Sequence, residues 1–291
     1  MAGTTRHRQW QIGDVTITRV VEVEARLSPA EFFPDATPSA LAPYRSWLVP
    51  DFMTDEGEFR LSIHALVLET PSRRIVVDTC LGDHPIPGFE DLGKDAANLL
   101  EGLEAAGTPR ESVDCVLCTH LHFDHVGWNT MKVDGRFVPT FPNARYLFAR
   151  KEWEHWSTTD AREFASTFDD TVQPVVDAGQ ADLVDTDHRL CEEVRLVPTH
   201  GHTPGHVSVL IESGGARALI TGDATHHPVQ WAHPEWGMAA DSDSAAAAAT
   251  RQRMIGDYGD RDVLVIGTHY SGATAGHIVR SEGGWLFRAR K

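Results

Sequence analysis

Four apolar runs in this chain each stop abruptly at histidine or carboxylate side chains, and that placement constrains the fold more than any other feature. Val113–Cys118 is followed by Thr119-His120-Leu121-His122-Phe123-Asp124-His125, and Val194–Pro198 by Thr199-His200-Gly201-His202-Thr203-Pro204-Gly205-His206. Ala218–Thr221 runs into Gly222-Asp223, and Val263–Gly267 into Thr268-His269. Alternate side chains of an extended segment share a face, so His120 and His122 project together, with Asp124 and His125 following where the chain leaves the strand. Such groups are costly to bury unpaired, so without a ligand they need full solvation or a hydrogen-bond network. If the strand ends lie along one edge, all four clusters meet.

Histidine accounts for 16 of the 291 residues, and imidazole is both the commonest metal ligand and the usual acid–base group near neutral pH. The remaining composition is that of an ordinary globular chain, 41% apolar and 23% charged. A chain of this length buries roughly three quarters of its unfolded surface without disulfide staples. Cys80, Cys115, Cys118 and Cys191 are too scattered for a disulfide framework, and the Cys115/Cys118 pair sits in an apolar run, so buried free thiols are expected. Acidic residues exceed basic ones 42 to 26, a formal net charge of −16, which repels phosphate backbones and anionic membranes. Neither nucleic acid nor membrane is therefore an expected partner. No apolar run approaches the ~18 to 20 residues that span a bilayer, and Met1–His7 lacks a secretory apolar segment, so a cytoplasmic location is expected.

Along the chain, Trp10–Glu24 alternates as a strand or hairpin does. The segment 26–60 carries Pro29, Pro34, Pro38, Pro43 and Pro50 among aromatic residues and reads as irregular. It is either a surface loop packed on its own rings or a lid or dimer arm beside a pocket, and the second alternative allows a homodimer. Strands are predicted over Ile63–Glu69, Arg74–Thr79, 113–119 and Tyr146–Phe148, with a helix over Ala96–Ala106 that stops at Gly107. Helices over Lys151–Trp156 and Glu163–Asp177 precede strands over Leu183–Asp185, Val194–Pro198, Val207–Glu212 and Ala218–Thr221. A helix over Ser244–Asp257 and a strand over Val263–Gly267 complete the pattern. Two similar series result, one ending near His125 and one near His269. The packing they predict is an α/β sandwich of two mixed sheets face to face, with helices on both outer faces. No Pro/Gly/Ser-rich linker separates the series, so a single domain over 1–291 is expected.

The motifs His120-x-His122-x-Asp124-His125, Gly201-His202-Thr203-x-Gly205-His206, Gly222-Asp223 and Gly267-Thr268-His269, in that order and each behind a strand, resemble the metallo-β-lactamase superfamily. With the strands before them, the resemblance covers most of the chain and implies the αββα sandwich. Carried over, His120, His122 and His202 would hold one metal, Asp124, His125 and His269 a second, and Asp223 would bridge. Five histidines and two carboxylates suit two divalent ions, zinc first, with manganese, iron or cobalt compatible. No cysteine stands among the matched ligands, unlike the lactamases that use a thiolate. Two cations roughly 3.5–4 Å apart share a hydroxide, because coordination lowers the pKa of water from about 15.7 to about 7. The implied reaction is hydrolysis of an ester-like bond in a small-molecule substrate, with Asp124, Asp223 and His226 as the catalytic residues.

Spacing alone leaves His200 in competition with His202, and the family pattern selects His202. His206 is expected to be structural or to support a ligand, and Asp78 resembles a structural aspartate of the family. In the acyl-homoserine lactonases of this superfamily a tyrosine lies three residues beyond the bridging aspartate, where this chain has His226. The segment Gly222-Asp223-Ala224-Thr225-His226-His227-Pro228 looks instead like the methyl parathion hydrolase branch, which cleaves phosphotriesters and aryl esters. His226 is then either a pocket-wall donor or a solvated loop histidine, and the role of His227 stays open. Trp128, Trp153, Trp156, Trp231 and Trp236 either line an apolar pocket or belong to the core, with Trp128 the first candidate for the wall. The expected activity is metal-dependent hydrolysis of a lactone, aryl ester or phosphotriester. The alternative is an iron-dependent oxidoreductase of the same fold, of the persulfide dioxygenase type, against which the seven-ligand set weighs.

Overall fold

The computed structural model describes residues 7–83, 96–158 and 165–290. Its first sheet opens with a hairpin of β1 (His7–Ile12) and β2 (Val15–Leu27), and β2 pairs antiparallel with β3 (Phe59–Glu69). Between β2 and β3 the chain forms three single turns of helix, α1 (Pro29–Phe32), α2 (Pro38–Leu41) and α3 (Arg45–Leu48). β4 (Arg74–Val77) pairs antiparallel with β3, and from there the sheet is parallel through β5 (Cys115–Leu117), β8 (Arg145–Ala149) and β9 (Ala181–Val184). A small hairpin, β6 (Thr130–Val133) and β7 (Arg136–Pro139), stands apart. The second sheet follows chain order: β10 (Val194–Pro198), β11 (Val207–Ser213), β12 (Ala216–Ile220), β13 (Leu264–Ile266), β14 (Ala275–Ser281) and β15 (Gly284–Ala289). Only its β12–β13 pair is parallel.

The inward faces of the two sheets meet in one core, with Ile17, Leu66, Val77 and Leu117 against Val209, Ile220, Leu264 and Ile266. The outer face of the first sheet, with Val20, Val67, Val116 and Tyr146, is covered by α4 (Leu99–Ala105), α7 (Ala165–Thr171) and α8 (Gln173–Asp177) through Leu99, Leu103, Phe168 and Val175. The outer face of the second sheet packs on α9 (Ser244–Tyr258) through Met254, Ile255 and Tyr258. Both faces of β4, β5, β12 and β13 are therefore buried, which is why these strands read as unbroken apolar runs. The layers are helix, sheet, sheet, helix, as the predicted sandwich requires. Since β10, β12 and β13 point the same way, their carboxyl ends share an edge. β4 and β5 end together in the other sheet.

Several boundaries differ from expectation for identifiable reasons. β5 is three residues long, because the Thr119 N–H leaves the ladder to donate to Asp78. The helix expected over Glu163–Asp177 is two helices broken at Val172, where Pro174 opens the second; residues 163–164 lie outside the described residues. The sequence gives no sign of the hairpins β6–β7 and β14–β15, since β6, β7 and β15 are mostly half-buried or exposed and carry no clear alternation. The segment 26–60 is not a surface loop resting on its own rings. Phe33, Leu48, Phe52 and Phe59 are fully buried in the same core as Trp231, Tyr270 and Phe287, sharing the outer face of the second sheet with α9. Cys80, Cys115 and Cys118 are buried free thiols, and Cys191 is a half-buried one. Among the described residues no helix is long and apolar enough to cross a membrane.

One irregularity in β2 serves the neighbouring loops. The β2–β3 register slips between Val21 and Val23, so Glu22 is the extra residue of a bulge, a device that re-aims a side chain. Its carboxylate accepts from the Leu81 N–H at 2.7 Å and from Trp128 Nε1–H at 2.6 Å. Of the two alternatives for Trp128, core or pocket wall, the structure shows the core. Burial pushes the Glu22 carboxyl up to about 7, against the pull of these donors. A raised carboxyl pKa means that the native state binds more protons than the unfolded chain between about pH 4.5 and 7, so its contribution to stability falls as pH rises through that window. The unfolding free energy of Glu22→Gln relative to wild type should therefore rise between pH 5 and pH 8, by up to about 3 kcal/mol. Chemical denaturation of both proteins across this range checks it, and a pH-independent difference would contradict it.

Candidate metal centre

The first ligand loop is held by a strained residue. Asp78, just past β4, has φ +58°, a region that non-glycine residues adopt only when the surroundings over-determine it. Here they do: Thr119 donates its N–H to Oδ1 (2.7 Å) and its hydroxyl to Oδ2 (2.9 Å), and His125 Nδ1 donates to Oδ2 (2.9 Å). Asp78 thus orients His125, whose Nε2 is left facing the centre. The next turn, α5 (Phe123–Val126), starts directly after His122 and carries Asp124 and His125.

The second loop is braced by His206, which is buried and takes no part in the donor cluster. Its Nδ1 lies 2.9 Å from Thr199 Oγ1, and its Nε2 accepts the Asp223 N–H at 2.8 Å. Gly222 must be glycine here: its φ is +54°, and a Cβ would stand 2.6 Å from His206 Nε2. His202 directs Nδ1 to Asp241 Oδ1 (3.0 Å), and His269 directs Nδ1 to the Ser62 carbonyl (3.1 Å). Each of these bonds fixes a tautomer with Nε2 turned inward. His200 is half-buried, away from the cluster. His227 is also structural: Nε2 lies 2.9 Å from the Phe52 carbonyl, and its ring stacks on Phe59 at 3.9 Å.

All seven expected ligand residues converge. His120, His122 and His202 form one trio, Asp124, His125 and His269 another, and Asp223 lies between, in a third group with His120 and His125; within each group the donor atoms lie within 4.8 Å of one another. Asp223 Oδ2 is 3.7 Å from His120 Nε2, 3.3 Å from His125 Nε2 and 3.5 Å from His202 Nε2. Its Oδ1 is 3.1 Å from His269 Nε2. His226 joins them, with Nε2 3.2 Å from Asp223 Oδ2. It is 2% exposed, so it is no solvated loop histidine, and neither ring nitrogen has a hydrogen-bond partner.

The electrostatics divide the histidines. Burial holds His120, His122 and His202 well below the usual imidazole range, and neighbouring imidazoles push the same way. Burial also disfavours charge on His125 and His269, but the carboxylates of Asp223 and Asp124 outweigh it and raise both. Burial likewise opposes ionisation of Asp223, yet His269, His125 and His226 carry its pKa well below the ordinary carboxylate value. Imidazoles held uncharged and carboxylates therefore crowd together, and His120 Nε2 has no hydrogen-bond partner. Such a donor set fits divalent cations and little else.

Two carboxylates that support this centre gave no recognisable motif. Glu152, on α6 (Arg150–Trp156), is buried and ties the ligand loops together: Oε1 accepts the Gly205 N–H at 2.6 Å, and Oε2 accepts the Leu121 N–H at 3.3 Å. Its signal is an acidic residue one helical turn before Trp156, on the same face of the helix. Asp241 was masked by the helix cap Asp243 beside it. Above the centre lies a cavity of about 270 Å³, walled by Leu27, Phe32, Leu61, Ile63, Phe123 and Met238 and floored by ligand residues and His226. None of the five candidate tryptophans lines it. Trp128, Trp156, Trp231 and Trp236 are buried in the flanking cores, and Trp153 packs against one of them. Trp156 approaches only the far side of the centre, edge-on to His122.

Comparison with known proteins agrees with this arrangement. The chain is 25% identical over 211 residues to an N-acyl homoserine lactonase of a Bacillus species, covering 67% of this chain and 76% of the relative. A probable metallo-hydrolase of Mycobacterium bovis is 26% identical over 196 residues, covering 57% and 58%. Among solved structures, the hydrolase AbOPH of the beta lactamase superfamily superposes with a TM-score of 0.80 at 24% identity, covering 99% of each chain. AidC, a dizinc quorum-quenching lactonase, does so with 0.77 at 20% identity, covering 98% of this chain and 97% of its own. These two likenesses are of fold. The family profile described as the Metallo-beta-lactamase superfamily matches residues 59–257. With its ligand motifs in order at the joined edges of a four-layer sandwich, the chain belongs to the metallo-β-lactamase superfamily.

Proposed function

We propose that this chain is a dinuclear metal-dependent hydrolase of small, uncharged ester-like substrates: lactones, aryl esters or phosphotriesters. The observation that carries it is the pair of ligand trios joined at Asp223 on the floor of an apolar cavity. The lactonase relatives and the dizinc lactonase neighbour support the same chemistry and make zinc the first choice of metal. His120, His122 and His202 would hold one cation and Asp124, His125 and His269 the other, with Asp223 between them. Two such cations supply water ionised near neutral pH and a polarised carbonyl or phosphoryl oxygen.

The chain's own residues supply the rest. The apolar wall excludes water and receives the uncharged parts of the substrate, while the lining side chains named above offer no cation for an anionic group. Asp124, 16% exposed at its side chain and on the cavity face, is placed to take the proton released by the attacking water and return it to the leaving oxygen. His226 lies beside Asp223 at the cavity floor, edge-on to Phe32 and with Nδ1 free of a hydrogen-bond partner, so it can donate to the substrate oxygen that gains charge.

Chelation and dialysis should abolish hydrolysis of a panel of chromogenic aryl esters, lactones and phosphotriesters, and zinc, manganese or cobalt should restore it. Full activity in the metal-free protein would remove the proposal, whereas one equivalent of iron without hydrolysis would favour the oxidoreductase. Asp223→Ala and His269→Ala should lose metal and at least about 10²-fold in kcat/KM while their circular dichroism stays native. His226→Ala should keep its metal content and lose roughly 10²-fold in kcat, the usual effect of removing one donor to a developing charge. Metal analysis beside steady-state kinetics separates the two classes of variant.

A further inference from the structure

The turn that leads into α9 holds a carboxylate with two separate tasks. The Asp241 side chain is fully buried. Its Oδ1 accepts from His202 Nδ1–H at 3.0 Å, which leaves His202 Nε2 directed at the centre. Its Oδ2 accepts the Met238 N–H at 3.2 Å, and its own N–H returns to the Met238 carbonyl at 3.1 Å, closing a turn. Met238 and Ala240 in that turn line the cavity. The turn is also sewn to the ligand loop, since the Ser242 N–H donates to the His202 carbonyl and the Asp243 N–H to the Gly201 carbonyl, both at 2.9 Å. The buried guanidinium of Arg251 adds a favourable charge nearby.

We propose that Asp241 is a positioning residue that couples the hold of His202 on a cation to the shape of the cavity wall. This rests on the metal centre proposed above. A cation drawn by Nε2 makes Nδ1–H a stronger donor, which pins the carboxylate and with it the Met238 turn. Coupling of this kind is reciprocal, so an ordered wall favours cation binding in return. The atoms dictate what a near-isosteric change does. In Asp241→Asn the amide oxygen can serve His202 or the Met238 N–H, and its NH₂ group then faces the other donor.

Asp241→Asn should bind zinc 10- to 100-fold more weakly in a competition titration of the metal-free protein, as loss of a ligand's hydrogen-bond partner typically does. At saturating zinc its KM for p-nitrophenyl octanoate, relative to p-nitrophenyl acetate, should rise about threefold or more. Met238→Ala, which keeps the backbone donor, should shift that ratio and leave zinc affinity unchanged. Zinc affinity within twofold of wild type in Asp241→Asn, or a loss of affinity with an unchanged KM ratio, would overturn the coupling. Wild type provides a test that no folding defect can confuse: zinc should slow amide hydrogen exchange across 237–243 at least about tenfold. Identical exchange in zinc-loaded and metal-free wild type would remove the coupling alone. A wild-type chain that binds no zinc would remove the metal centre as well.

Discussion

Imidazole nitrogens and carboxylate oxygens crowd around Asp223, most of them within 4 Å of its oxygens and out of reach of water. In that setting the uncharged imidazoles turn unprotonated nitrogens toward one another and toward carboxylate oxygens, and no packing of apolar side chains relieves that repulsion. The surrounding fold is arranged to hold the groups there regardless. Asp78 keeps a left-handed backbone, Gly222 leaves room for His206, and Glu152 accepts an N–H from each of two loops. Cations relieve the same repulsion that this scaffolding resists, so metal binding and stability are expected to be linked.

The cavity above the centre follows from the layer order. β2 and β3 run past the edge of the first sheet far enough to offer Ala25, Leu27, Leu61 and Ile63, and α1 brings Phe32 from the opposite side. The aromatic segment before β3 is thus both core and wall. Its deep rings, Phe33 and Phe52, anchor it on the second sheet and leave Phe32 to face His226.

Much of the fold was legible because β4, β5, β12 and β13 are buried on both faces and so announce themselves as apolar runs. The edge hairpins did not, since a face turned to solvent carries no periodic apolar signal. The candidate donors were legible for a related reason: His120, His122, Asp124 and His125 lie within six residues at a strand end, and short-range geometry alone brings them together. Glu152 and Asp241 were silent, because a buried carboxylate is recognisable only from the N–H groups that reach it. Those donors, on Leu121, Gly205, His202 and Met238, belong mostly to other loops. In the sequence the tryptophans stay open between wall and core for the opposite reason. Their proximity in sequence to the ligand loops is real, but an indole buries more area in the flanking cores, and Trp128 and Trp156 find carboxylate acceptors there.

By itself the sequence determined the types and order of the donors, their place after apolar strands, and hence the layered α/β fold with a metal-type edge. Tertiary structure alone decided which face of that edge became a cavity and which residues wall it. It also decided that His226 points inward and that Asp241 bridges His202 and the Met238 backbone. The division is physical: strand periodicity and local spacing are written in neighbouring residues, whereas the direction of a loop side chain depends on what two sheets and their helices leave unfilled.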